Sequence, residues 1–195
     1  MSAARIIYGT AWKKERTAAL VVSAVLNGFR AIDTACQPKH YREDLVGEAL
    51  EELVNKHGIN RKDLYVQTKY TPISGQDRSQ PLPYNPEDPV YDQTRASVAT
   101  SLKQLRVSYL DGCLLHSVLP TLNQTLDAWT ALIELQDEGK VRKIGMSNVY
   151  DPRVLDHLQL ESGHAPEVVQ NRWYEGNGWD PDVLNWCKKH GAQYQ

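Results

Sequence analysis

Residues 28–35 read GFRAIDTA: a glycine, an arginine two positions on, a short apolar run closed by Asp33, then a turn. Gly28 stands where the helical periodicity of 14–27 stops, the position at which a left-handed cap favours glycine. The run after it is too short for a helix and long enough for a buried strand. The same order of helix, glycine, basic residue and strand recurs at Gly58, ahead of LYVQTK at 64–69, and at Gly139, ahead of VRKIGMS at 141–147. A unit repeated in this way predicts alternating βα units on a parallel sheet.

Extending the pattern outward gives strands at 5–8 (RIIY), 29–33, 64–69, 110–116 (LDGCLLH), 141–147 and 167–170 (EVVQ). Helical periodicity fills the intervals at 14–27, 43–57, 92–105, 122–138, 152–160 and 181–190. Gly163 and Gly191 close two more of these helices, so five of the twelve glycines have a capping position. The expected fold is a TIM (β/α)8-type barrel in one domain over residues 1–195. Such barrels run to about 250 residues with ~200 as a floor. After Gly191 only Ala192 to Gln195 remain, so a seventh strand barely begins. The expectation is an incomplete barrel of about six βα units, the last two missing, with strands one and six as open edges.

Composition narrows the function. Lys+Arg 22 against Asp+Glu 24 gives a formal charge of −2, without blocks, which argues against nucleic acid or a polybasic membrane contact. No apolar run approaches the ~20 residues of a membrane helix and no signal-peptide block opens the chain, so a cytoplasmic location is expected. Cys36, Cys113 and Cys187 are an odd number at wide spacing and read as free buried thiols rather than as a disulfide or metal set. One connection is abnormal: between Tyr70 and Tyr91 lie Pro72, Pro81, Pro83, Pro86 and Pro89, half of all the prolines. A loop beyond about 12–15 residues is either a functional lid or disordered.

The polar residues that close the strands carry the functional signal. Asp33, Lys69, His116, Ser147 with Asn148, and Gln170 with Asn171 each follow an apolar run. In a parallel barrel those carboxyl ends share the face on which active sites form. Singly, each has a simpler account: a capping aspartate, a snorkelling lysine, a core histidine, turn-forming amides. Together they gather an acid, an amine, an imidazole and amides in one place. Asp33 and Lys69 on adjacent strands would form an ion pair, and a lysine near a tyrosine favours the phenolate and lowers that tyrosine below its reference of about 10. Tyr41, at the mouth of the next helix, is the nearest candidate for such a tuned general acid, with His116 orienting a carbonyl oxygen and the amides gripping a flat cofactor head group. Lys69 as a Schiff-base nucleophile is another reading of the same barrel. It leaves Tyr41, His116 and the amides without a shared purpose.

The set GFRAIDTA, HYREDLVGEAL, YVQTKY, LDGCLLHSV, KVRKIGMSNV and PEVVQN resembles the aldo-keto reductase family, in the family's order and over nearly the whole chain. The resemblance implies a catalytic tetrad of Asp33, Tyr41, Lys69 and His116, with Tyr41 as general acid. It implies that Ser147, Asn148 and Gln170 hold the nicotinamide carboxamide, that NADPH is the cofactor, and that the partner is a small carbonyl substrate, with no metal. The absence of G-x-G-x-x-G accords with cofactor binding at a barrel mouth rather than on a Rossmann unit.

Two departures stand out. The family tyrosine follows the aspartate by five positions, but that position is Pro38, and Tyr41 lies eight beyond Asp33. A short insertion before the helix explains this and the two-residue offset of Val46–Gly47; His40 is an outside alternative. The segments that in the family stack on the nicotinamide and grip the adenosine 2′-phosphate come after strands seven and eight, beyond these 195 residues. Two functions therefore compete: a carbonyl reductase, and a shortened, catalytically impaired relative acting at most as a binding or regulatory partner.

Overall fold

The computed structural model of the protein describes residues 6–195. Its elements alternate strictly: β1 (Tyr8–Gly9), α1 (Thr17–Leu26), β2 (Ala31–Asp33), α2 (Glu43–His57), β3 (Tyr65–Tyr70), α3 (Val90–Leu105), β4 (Gly112–Leu115), α4 (Leu122–Asp137), β5 (Ile144–Ser147), α5 (Pro152–Ser162), β6 (Val168–Gln170), α6 (Pro181–His190) and β7 (Gln193–Tyr194). The strands lie side by side in sequence order, every neighbouring pair parallel, and curl into an incomplete (β/α) barrel.

Local chemistry sets most boundaries. Glu43 and Asp44 occupy the first turn of α2 and Lys56 and His57 its last, each sign complementing the helix dipole. Pro181 opens α6 and Lys188, Lys189 and His190 close it. Both helices keep the predicted limits. Gly28, Gly58, Gly139, Gly163 and Gly191 all adopt positive φ, between 66° and 105°. Gly47 serves packing instead: a Cβ there would stand 2.1 Å from the carbonyl oxygen of Gln104, so α2 lies directly on α3. Between helices and sheet sits an apolar layer that includes Val21, Leu53, Val66, Leu105 and Leu132, all fully buried. Trp129 is buried with them, and its indole N–H reaches Ser162 Oγ and the His164 carbonyl, both at 3.2 Å.

Several expectations change. Arg5 of the first predicted strand lies outside the described residues, and β1 pairs only through Tyr8 and Gly9. The strands are shorter than the apolar runs because pairing starts late; Leu110 makes only an isolated bridge to Val141. The segment predicted as helix from 14 begins as a 3-10 turn, Lys14–Arg16, entered through positive φ at Trp12 and Lys14. The seventh strand forms, short as it is: Gln193 and Tyr194 pair with Val168 and Val169, so among the described residues the sheet's edges are β1 and β7 rather than strands one and six.

The proline-rich connection is neither a free lid nor shapeless. Tyr84 is buried against Tyr70, with ring centroids 5.6 Å apart, and its hydroxyl donates to the Thr71 carbonyl at 2.7 Å. Gln76 Nε2 donates to the carbonyls of Cys36 and Thr71, and Thr100 Oγ1 to that of Pro83. These bonds hold the loop against β3 and α3. Cys36, Cys113 and Cys187 are free and buried.

Candidate active site

The carboxyl ends of β2 to β6 gather the predicted residues. Asp33 ends β2 and is in register with Gln67, so Lys69, two residues further on, stands one step above it on the same side of β3. Lys69 Nζ donates to both carboxylate oxygens of Asp33, at 2.7 and 2.6 Å, and to the Thr34 carbonyl at 2.9 Å. Both side chains are buried. Lys69 also lies 5.6 Å from the centre of the Tyr41 ring, and that ring meets His116 edge-on at 6.0 Å and 69°. The four residues are together.

The electrostatics correct one expectation. Tyr41 is pushed up to about 12, first by burial and then by the Asp33 carboxylate, not lowered by Lys69. An ammonium has three protons, and those of Lys69 are all directed at Asp33 and Thr34. Seen from the phenol, the pair is close to neutral and burial decides. Tyr41 thus keeps its proton throughout the neutral range.

His116 is held down to about 4, by burial first and then by Lys69, with His40 adding to the shift and Asp33 opposing it. It is a neutral imidazole at pH 7. Its Nδ1 bonds the Thr71 hydroxyl at 2.7 Å. In the tautomer where Thr71 donates, the remaining ring proton sits on Nε2, free for an acceptor. Thr71 lies one residue past β3 and gave no signal in the sequence, where it reads as the start of a loop. His40, the outside alternative to Tyr41, packs against Trp12 with ring centroids 3.6 Å apart and planes tilted by 33° instead of joining the pair.

Ser147 and Gln170 are in register across β5 and β6. Asn148, in left-handed backbone geometry at φ 53°, donates through Nδ2 to the His116 carbonyl at 2.8 Å and to Ser147 Oγ at 3.2 Å. Gln170 donates to Gln195 Oε1 at 3.2 Å, while Gln195 Nε2 is buried with no partner among the described residues. Asn171, the other strand-six amide, is used structurally: it bridges Val149 and Asp180. A hydroxyl, two amides and an orphaned amide donor offer both donors and acceptors, which suits a carboxamide head group. Gln170, Gln195, Asp33 and Gly9 line a cavity of about 430 Å³ between β1 and β7.

Below this level the sequence reading missed a residue. Gln67, inside β3, is fully buried, donates to Asp33 Oδ1 and to Gln195 Oε1, both at 2.9 Å, and accepts from the Tyr65 hydroxyl at 2.9 Å. A single glutamine within an apolar run looks like an exposed alternate position, and only barrel curvature turns that face inward. No cluster of three metal-binding side chains occurs among the described residues.

Comparison with known proteins places this parallel barrel, with its polar set at the mouth, in a known family. The sequence profile of the Aldo/keto reductase family matches residues 5–193, and the chain belongs to that family. A glyoxal reductase of Bacillus subtilis is 31% identical over 175 residues, covering 90% of this chain and 55% of that protein. The methylglyoxal reductase DkgA of Escherichia coli K12 is 31% identical over 156 residues, covering 80% and 48%. The chain thus spans about half the length of these curated relatives. An aldo/keto reductase from Brucella melitensis superimposes with a TM-score of 0.77 at 30% identity, over 96% of this chain and 65% of that one. An aldo-keto reductase of Bombyx mori, solved with NADP, has the same fold at a TM-score of 0.80 and 21% identity, over 97% and 61%.

Proposed function

We propose that this chain carries the proton-delivering half of an NADPH-dependent carbonyl reductase, with Asp33, Tyr41, Lys69 and His116 as its catalytic group. The observation that carries the reading is the edge-on approach of the Tyr41 ring to a neutral His116 directly above the buried Lys69–Asp33 pair. Tyr41, protonated at neutral pH, donates its phenol proton to the carbonyl oxygen. His116, fixed through Nδ1 by Thr71, presents its other nitrogen to the same oxygen and orients it. Lys69 and Asp33 hold a fixed dipole beneath the phenol. A positioned acid of this kind contributes roughly 10²–10⁴ in rate.

Ser147, Asn148 and Gln170 would hold the nicotinamide carboxamide in this reading, and NADPH bound there would supply the hydride for the carbonyl carbon while Tyr41 supplies the proton for its oxygen. The names of the relatives, glyoxal and methylglyoxal reductases, support small dicarbonyl aldehydes as the first substrates to assay. Three free thiols support a reducing, cytoplasmic setting.

Fluorescence titration with NADPH and turnover of methylglyoxal test the proposal. The expected result is micromolar NADPH binding, with Tyr41→Phe abolishing turnover and leaving that binding intact; unimpaired turnover overturns the role of Tyr41. The open cavity between β1 and β7 favours one second reading, a binding or regulatory partner without catalysis. Turnover of methylglyoxal by the 195-residue chain rules that reading out. Borohydride trapping with a carbonyl substrate checks the Schiff-base alternative, which predicts an adduct on Lys69.

A further inference from the structure

Three side chains on one face of β3 divide the labour. Lys69 is at the mouth, Gln67 one step below it and Tyr65 one step below that, all three turned into the barrel and linked to one another or to Asp33. Gln67 is the member with contacts on both sides of the site. One amide proton goes to Asp33 Oδ1, the other to Gln195 Oε1, and Gln195 Oε1 also accepts from Gln170. Its own carbonyl oxygen accepts from Tyr65.

Burying a primary amide without partners is costly, so a fully buried glutamine persists where its bonds are made. Here both donors and the acceptor are engaged, which fixes the side chain in one rotamer. The consequence is geometric. Asp33 Oδ1 is held from below by Gln67 and from above by Lys69, so the carboxylate plane cannot rotate without breaking one of these bonds. Gln170, the amide facing the proposed cofactor head group, is tied through Gln195 to the same glutamine.

We propose that Gln67 is a positioning residue that fixes the Asp33 carboxylate and, through Gln195, couples it to Gln170. The role rests on the carbonyl-reductase reading, because it gives Asp33 and Gln170 their purposes. The amide itself touches neither substrate nor cofactor. It acts by keeping the pair beneath Tyr41 and the grip on the nicotinamide in a single arrangement.

Two measurements on the full chain test it. In Gln67→Met, similar in volume and lacking the amide, kcat is expected to fall about 10-fold while KM for methylglyoxal moves less than about 2-fold, the size typical of losing an outer hydrogen-bond partner of a catalytic group. Equal kcat in variant and wild type overturns the proposal, as does a KM change alone. The second readout needs no turnover. In ¹⁵N spectra the Gln67 side-chain amide pair is expected to shift on Asp33→Asn, and on NADPH addition to the wild type but not to Gln170→Ala. An amide pair indifferent to Asp33→Asn overturns the positioning role, and one indifferent to bound NADPH overturns the coupling. If the wild type proves inactive, the function fails while the Asp33→Asn shift still decides the bond between Gln67 and Asp33. A Gln67→Met chain that does not fold leaves that same shift, measured in protein carrying the native glutamine, as the deciding result.

Discussion

Lys69 Nζ lies 2.7 and 2.6 Å from the two carboxylate oxygens of Asp33, and its remaining proton is taken by the Thr34 carbonyl at 2.9 Å. The ammonium is therefore saturated without Tyr41, which leaves the phenol a protonated donor. Removing one member strands the other in a buried site. Lys69→Met is expected to destabilise the fold by about 3–5 kcal/mol, the range for breaking a buried pair, and Lys69→Met with Asp33→Asn to recover part of that loss. Urea unfolding of the two variants measures both; a double variant no more stable than the single one contradicts the account.

His116 sits at about 4 in the folded chain against 6.5 for a free side chain. Between these values the unfolded chain binds a proton that the folded one refuses, so this residue's contribution to stability falls as the pH drops through about 6.5 and levels off below about 4. An NMR titration of the imidazole should show it neutral at pH 5. His116→Gln should flatten that part of the stability profile. An imidazole that titrates at its ordinary value rejects the buried, Thr71-bonded geometry.

Tyr84 ties the proline-rich connection to the Thr71 carbonyl, which also accepts from Gln76 Nε2 at 3.1 Å. Because that carbonyl keeps a second donor, Tyr84→Phe should cost about 0.5–1 kcal/mol, the low end for a lost hydrogen bond. Tyr84→Ala removes the ring from its place against Tyr70 and should cost about 3–5 kcal/mol. Thermal melts order the two variants, and equal losses would mean that the ring contributes nothing.

Gly145 in β5 has no room for a side chain: an added Cβ would lie 2.0 Å from the Val168 carbonyl oxygen and 2.8 Å from Leu114 Cδ2. Backbone cannot yield as a side-chain tip does, so Gly145→Ala should exceed the ~1–3 kcal/mol of ordinary overpacking and give little soluble protein. An added Cβ at Gly9 in β1 would meet none of the described residues within 4 Å, and Gly9→Ala should be close to neutral. Soluble yield and melting temperature separate the two.

The sequence made some of these residues legible and hid others, for physical reasons. Asp33, Lys69 and His116 stood out because each breaks an apolar run at its carboxyl end, and the limits of α2 and α6 because charge and proline mark them. Two strand residues cannot show a period, which is why β7 was legible only as the bare start of a strand and not in its pairing. Tyr41 was legible as a residue but not in its proton affinity, since that depends on Lys69 also reaching the Thr34 carbonyl. Gln67 and Thr71 act through partners on other strands, and their roles follow only from register. The grip of Tyr84 on its loop was likewise masked by the prolines around it.

The cavity between β1 and β7 gives the Asp33 carboxylate a second exposure, sideways, in addition to the mouth. The strength of its pairing with Lys69 then depends on local hydration: attraction between opposite charges at fixed distance weakens several-fold as the effective dielectric rises from protein-like to watery values. The flank of the barrel is thus a place from which the strength of that pair can be altered without touching either of its two residues.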